Sequence, residues 1–246
     1  MDILAAITAW FQNLLLWLFA LPNTLADSML YAQVILPSLL KGTVMTIRVF
    51  AWTLVFSIPL GLPLALGSES RWLPVRWFCR FYVFIFRGTP LMLQLFFVYF
   101  IVPIYTGIMI DAVTSALITF VLNYAAYLSE IYRGGIKSID RGQYEAAACL
   151  GLSRSQTVLG IVLPQMVRVV LPAVGNEMIT LVKDTSLVYA LGVTELLKAS
   201  RSAVNRDGKL MAYLLAAVIY LILTFGLTKL QNYLEKRFSR HEQRSE

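Results

Sequence analysis

Charge is scarce in this chain. Only 14% of its 246 residues are Asp, Glu, Lys or Arg, against about 25% in soluble domains. With 58% hydrophobic residues and a mean hydropathy of +0.69, that scarcity places most of the chain in lipid. The length fits one membrane domain. Cysteine is limited to Cys79 and Cys149. Both fall in polar segments read as cytoplasmic and are expected to be reduced and structural. No G-x-x-x-x-G-K-[ST] occurs, so the chain does not itself supply that phosphate cradle. The first apolar run follows Asp2 without a positive n-region, and no A-x-A site follows it. Both points argue against a signal peptide. There is no repeat of fixed period, no low-complexity segment and no second, soluble domain.

The net charge of +7 raises nucleic acid as a partner, but the basic residues cluster beside apolar runs. That arrangement orients a membrane protein, so no nucleic-acid role is expected. A spanning helix needs roughly 20 mostly apolar residues. The candidates are 3–21, 43–66, 81–103, 112–132, 165–193 and 210–232. Residues 28–42 end in Lys41-Gly42 and read as an interfacial lead-in. Gln12 and Asn13 interrupt the first run, while Trp10 and Trp17 suit an interface, so it spans or lies on the surface. Arg71, Arg76 and Arg80 mark one basic segment, Arg133, Lys137, Arg141 and Arg154 a second, and Lys236, Arg237, Arg240 and Arg244 a third. Segment 103–111 has no Lys or Arg. The three basic segments are therefore expected in the cytoplasm, with the C-terminus. The loop 196–209 is an exception, since it must lie outside yet carries Lys198, Arg201, Arg206 and Lys209.

Within the run 165–193, Asn176, Glu177, Lys183, Asp184, Thr185 and Ser186 interrupt apolar sequence. Charges at membrane depth cost about 2.5–3.5 kcal/mol each on insertion scales and normally face a polar interior. Glu177, Thr180 and Asp184 share one helical stripe, and Asn176 and Lys183 a second about 100° away. They are candidates to line a solute route. The competing reading is an internal Lys183–Asp184 pair near the helix end. Asn123, Tyr127 and Glu130 form a further stripe. Glu130 reads more simply as an i, i+3 partner of Arg133. Arg87-Gly88-Thr89-Pro90 is a gate or a simple turn into a helix at the cytoplasmic mouth of run 81–103, with Gln94 about one turn further in. Prolines at positions 59, 63, 90 and 172, and small residues such as Gly61, Ala65 and Gly67, suit a packed bundle.

The stretch from Arg141 to Pro164 is polar and lies between apolar runs. It reads as two short helices. Gly151 fits the left-handed position ending the first, Ser153 and Gln156 form a capping box for the second, and Pro164 stops it. A compact helix-turn-helix on one face of a membrane protein is a docking element for something soluble. The ordinary alternative is an amphipathic loop with no partner.

Glu145-Ala146-Ala147, Gly151 six residues after Glu145, Ile161 ten further on, and then Leu163-Pro164 form an ordered pattern. It resembles the cytoplasmic "EAA" loop of permease subunits of bacterial ABC importers. The branch it resembles is the polar amino acid permeases of the histidine/glutamine/glutamate type. The matching stretches are Arg87-Gly88-Thr89-Pro90-Leu91 with Gln94, Tyr132-Arg133-Gly134-Gly135-Ile136 with Gly142-Gln143, Glu145 to Gly151, Ile161 to Gln165, and Lys183-Asp184-Thr185-Ser186-Leu187. The resemblance implies an all-α fold with a five-helix permease core, plus an extra N-terminal apolar helix and cytoplasmic coupling helices. It divides the chain into an N-terminal segment 1–27, a permease domain 28–235 with coupling helices at about 140–162, and a basic tail 236–246. Arg141, Gln143, Glu145, Ala146, Ala147, Gly151 and Leu152 would couple to the ATPase, and Gln94, Asn176 and Asp184 would line the pathway. The implied partners are a second permease subunit, identical or homologous, two ATPase subunits holding ATP and Mg, and an extracellular binding protein. The chain itself would be no enzyme and would carry no cofactor. A secondary transporter driven by an ion gradient is the rival reading. A membrane scaffold or sensor is the third.

Overall fold

The computed structural model describes the chain from Ile3 to Ser239, and its side chains from Asp27 to Phe238. Among the described residues there is no strand. Ten helices follow in order. Helix α1 (Ile3–Ser68) turns into α2 (Leu73–Gly88), and α3 (Leu91–Phe96) runs through a π-helical turn, Phe97–Ile101, into α4 (Val102–Thr106). Helix α5 (Ala112–Ser138) precedes the short α6 (Arg141–Cys149) and α7 (Arg154–Thr157). A second π turn, Val158–Val162, leads into α8 (Leu163–Asp184), and a 3₁₀ segment, Thr185–Leu191, closes it. Helices α9 (Leu196–Asp207) and α10 (Met211–Ser239) complete the chain.

Four stretches are long and apolar enough to cross a membrane: Asp27–Ser68, Ala112–Ser138, Arg154–Leu191 and Met211–Phe238. Leu73–Gly88 and Leu91–Thr106 pass the same test together but are bent by 106°, giving up to five spans. This agrees with an all-α, five-helix core and corrects several boundaries. Residues 28–42, expected as an interfacial lead-in, form no separate element, because α1 runs unbroken through them. Tyr31, Ile35 and Leu39, one helical stripe, bury against Leu196 and Ala199 of α9 and Ala212 and Ala216 of α10. Gly42 does not end a helix either. A Cβ there would meet the Glu195 carbonyl oxygen at 2.8 Å, so the glycine permits close backbone approach. The reading of 196–209 as a loop is replaced by helix α9. Whether 3–21 spans, and the tail from residue 240 on, lie outside the residues with described side chains.

Pro164 does not stop a helix. The π turn just before it makes Leu163 N–H bond the Val158 carbonyl, five residues back. The same device precedes Pro103, where Val102 N–H bonds the Phe97 carbonyl. A proline ring lacks an N–H and crowds the preceding turn. One wider turn absorbs both, and the helix continues. Arg154–Leu191 is thereby one span of 38 residues rather than a loop helix followed by a separate span.

Lipid tails give helices no hydrophobic reason to associate, so close packing has to supply the attraction. Helix α5 packs against α1 and α8. At Gly61 a Cβ would meet Leu128 Cβ at 3.0 Å, and at Gly135 it would meet Val170 Cγ1 at 2.2 Å. Ala65 is fully buried in the same α1–α5–α8 cluster with Leu128, Met166 and Val170. Gly135→Ala is therefore expected to overpack the α5–α8 contact and cost about 1–3 kcal/mol. Gly134→Ala, with nothing within 4 Å of the added carbon, is expected to be neutral or slightly stabilising. Thermal unfolding of the two purified variants in detergent checks the pair; equal melting would contradict this packing.

Candidate functional site

The α2–α3 break is the origin of the site. Pro90 has no N–H to offer the Phe86 carbonyl, and the residue before a proline avoids helical geometry. Thr89 is extended, with φ −120° and ψ 147°. In lipid the freed carbonyls need other donors. Gln94 Nε2 donates to Phe86 O at 2.9 Å, Thr89 O at 3.1 Å and Thr89 Oγ1 at 2.8 Å. Asn123 Nδ2 donates to Phe86 O at 3.0 Å and to Gln94 Oε1 at 2.9 Å. Gln94 and Asn123 thus form a bracket around the bend. The bend lies beside Asn123, 15 residues before the end of α5 at Ser138, or roughly 22 Å along a helix. Helix α2 starts at Leu73, eight residues before the expected span at 81.

The bend opens a cavity of about 250 Å³ lined by Thr89, Pro90, Leu91, Asn123, Tyr124 and Tyr127 on one side, and by Glu177, Thr180 and Asp184 on the other. The Glu177–Thr180–Asp184 stripe faces it as one unit. Asp184 accepts a hydrogen bond from Tyr124 Oη at 2.7 Å. Thr180 Oγ1 donates to its own helix at Asn176 O, 3.1 Å. Glu177 is half-buried with no hydrogen-bond or ion-pair partner among the described residues. The second stripe is elsewhere. Asn176 and Lys183 are exposed and do not line the cavity, and Lys183 and Asp184 make no ion pair within 4 Å. Thr185 is fully buried and donates to Val182 O at 2.7 Å. The pattern missed Tyr124. Its only trace in the sequence is its place beside Asn123 and one turn before Tyr127.

Glu130 behaves as its simpler reading expected. Arg133 grips it at 2.9 and 2.6 Å, and Arg87 approaches at 3.5 Å while lying over the Tyr127 ring at 5.3 Å. Arg87 and Gly88 end α2, and Thr89 and Pro90 contribute to the cavity wall. At the same end of the bundle, Glu69 meets Lys137 at 2.9 Å, Arg133 at 3.6 Å and Arg80 at 3.7 Å. Burial raises the Glu69 pKa, but the three cations outweigh it and hold the carboxyl below its ordinary value.

The helix-turn-helix is present in full. Asp140 caps α6 by accepting from Gly142 N–H at 2.6 Å. Gly151 stands at φ +70°, Gly151 N–H bonds Ala148 O, and Leu152 N–H bonds Ala147 O, both at 3.0 Å. This is a Schellman C-cap. The Ser153–Gln156 capping box closes reciprocally at 3.3 and 2.8 Å. Of α6 only Ala147 is buried. Arg141, Gln143, Glu145, Ala146 and Cys149 are exposed, and Leu150 shows 77% of its surface. Cys149 is therefore a surface thiol, whereas Cys79 is buried. Gln165 Nε2 reaches Gln143 Oε1 at 3.4 Å and ties α6 to the foot of α8.

A bent helix pair around a polar cavity, with an exposed capped helix at one end, defines a helical membrane transport subunit. The family described as binding-protein-dependent transport system inner membrane component matches residues 57–240. The chain belongs to this family of importer permeases. It is 38% identical over 207 residues to the L-cystine transport system permease protein TcyB of Bacillus subtilis, covering 83% of this chain and 88% of that protein. It is 36% identical over 210 residues to the glutamate/aspartate import permease protein GltK of Escherichia coli, covering 82% and 94%. A chain of the crystal structure of an amino acid ABC transporter with histidines superposes with a TM-score of 0.79 at 30% identity, covering 85% of this chain and 97% of that one. The inward-facing MetNI methionine ABC transporter shares the fold, with a TM-score of 0.66 at 18% identity.

Asn123→Leu is expected to leave Gln94 Oε1 without its donor and Phe86 O with one donor fewer, at a cost of about 1–3 kcal/mol. Thermal unfolding of the purified variant measures it. Unchanged melting would mean that Gln94 alone holds the bend.

Proposed function

We propose that this chain is the membrane-spanning permease subunit of an ATP-driven importer for polar amino acids. Two permease chains form the pathway, two ATPase subunits binding ATP and Mg dock below, and an extracellular binding protein delivers the solute. The basic segments and the C-terminus face the cytoplasm. The observation that carries the reading is the continuity from α6 to the cavity. Helix α6 is exposed and rigidly capped, and beyond the turn one unbroken span leads from Arg154 to Glu177 and Asp184. A movement imposed on α6 by an ATPase would reach the cavity through a stiff element, as a two-state lever requires.

The cavity chemistry suits an amino acid. About 250 Å³ holds a small solute, somewhat below the range of drug-sized pockets. Glu177 and Asp184 are the partners for an α-ammonium group, and the Tyr124, Tyr127 and Thr180 hydroxyls and the Asn123 amide line the rest. The relatives named for cystine and for glutamate/aspartate support a polar amino acid as the class. Arg141, Gln143, Glu145, Ala146, Ala147, Gly151 and Leu152 couple the ATPase to this movement.

Two outcomes test the proposal. Purification of the tagged chain in mild detergent is expected to bring down an ATPase, with two permease and two ATPase copies by mass spectrometry. A chain that purifies alone and moves an amino acid down an ion gradient in liposomes would overturn the reading. Gly151→Val is expected to abolish coupled uptake, because a β-branched residue is strained at φ +70° by about 1–2 kcal/mol. Gly151→Asn, which tolerates that conformation, is expected to retain uptake. Wild-type uptake by an assembled Gly151→Val complex would refute a coupling role for the turn.

A further inference from the structure

A second cavity, of about 630 Å³, lies at the basic end of the bundle between the α1–α2 turn and α7. Its walls are of two kinds. Leu66, Val75, Val158 and Leu159 are apolar, while Ser70, Arg71, Arg154 and Ser155 are polar. Neither guanidinium has a hydrogen-bond or ion-pair partner among the described residues. Glu69, the carboxylate next in sequence, is already engaged by Lys137, Arg133 and Arg80. Ser70 Oγ accepts the Trp72 N–H at 3.2 Å, which leaves its own proton to donate. Two arginines without an anion therefore share one cavity with two hydroxyls.

The position of the cavity points to the anion. Its wall takes in Leu66 and Gly67 at the end of the apolar stretch of α1, which closes at Ser68, and then the polar Ser70 and Arg71, the apolar-to-polar change that a lipid headgroup boundary calls for. Trp72 and Trp77, exposed by 75% and 68%, mark the same level, as aromatic residues do at membrane surfaces. A free phosphate would gain nothing from four apolar side chains. A phospholipid uses both walls.

We propose that this cavity binds an anionic phospholipid. Arg71 and Arg154 hold its phosphate, with Ser70 and Ser155 as hydroxyl donors, and the acyl chains lie along Leu66, Val75, Val158 and Leu159. Bound there, the lipid bridges the α1–α2 turn to α7. It thereby steadies the base of the long span and neutralises two like charges brought together by the fold.

The test uses the whole purified complex, stripped of lipid in detergent and titrated with phosphatidylglycerol, phosphatidylcholine or inorganic phosphate, with bound lipid counted by native mass spectrometry. The wild type is expected to retain phosphatidylglycerol over phosphatidylcholine. The double variant Arg71→Gln/Arg154→Gln is expected to bind it about thirtyfold more weakly, the effect of removing two positive charges that face an anionic headgroup. Arg71→Lys/Arg154→Lys keeps the charges and is expected to retain most of the binding. Equal retention of the two lipids, or wild-type retention by the double glutamine variant, would overturn the proposal. Displacement of the lipid by inorganic phosphate alone would overturn the lipid as the source. Should the double variant fail to assemble, the three-ligand comparison on the wild type decides. None of these readouts depends on transport, so the result stands apart from the fate of the importer reading.

Discussion

A bilayer does not solvate backbone, and most of this structure answers to that fact. A helix can break in lipid only where something else satisfies its carbonyls. Here the break at Thr89-Pro90 is covered by two amides, Gln94 and Asn123, which also bond each other. Without that bracket, Phe86 O would stand unpaired, at a cost of several kcal/mol. With it, the bend is a stable feature, and the polar cavity exists because the bend does. The two prolines that do not break their helices obey the same rule. Before Pro103 and Pro164 a single π turn reroutes the hydrogen bonds and keeps the helix going.

The charges are arranged by depth. At the basic end, Glu69 and Glu130 are shared among Arg80, Arg87, Arg133 and Lys137, a network that joins the α1–α2 turn to α5. Exposed pairs of this kind each contribute about 1 kcal/mol or less, so their main effect is to fix register between helices. At the opposite end, Glu195 is fully buried and caps α9 through Leu197 and Lys198 N–H at 2.7 Å, with Tyr220 Oη at 3.1 Å. Burial pushes its carboxyl above the ordinary pKa, and those donors work against the shift. The cations of α9 and the turn after it have local partners: Lys198 Nζ donates to Gly192 O and Arg201 lies over the Tyr189 ring at 5.6 Å. Asp207 answers Arg206 at 2.6 Å, and Lys209 lies over the Tyr31 ring at 4.8 Å.

The cavity and the exposed helix α6 are joined by one rod. Helix α6 presents a nearly unburied surface, and its C-cap holds the turn in a single conformation. From Arg154 the chain runs without a break to the carboxylates of the cavity wall. Such a layout keeps the exposed, capped helix apart from the polar cavity while one continuous helical stretch connects them.

Local rules were sufficient for much of this. The apolar runs, the caps at Gly151 and Ser153, the Glu130–Arg133 pair and the Glu177–Thr180–Asp184 stripe are all interactions within a few residues, and periodicity and residue type express them directly. The longer-range facts were not legible. Nothing local distinguishes Pro90, which breaks a helix, from Pro164, which does not; the difference is whether donors from other helices or a π turn meet the freed carbonyls. In residues 28–42 only packing shows which stripe, Tyr31, Ile35 and Leu39, α9 and α10 cover. Of two polar stripes on α8, only packing against α5 decides which faces a cavity. Residue type and periodicity specify where helices form and which faces are polar, because those depend on neighbours in the chain. Tertiary structure alone decided where a helix bends, what the bend encloses and which polar face is buried, because those depend on groups brought together from 29 to 60 residues away.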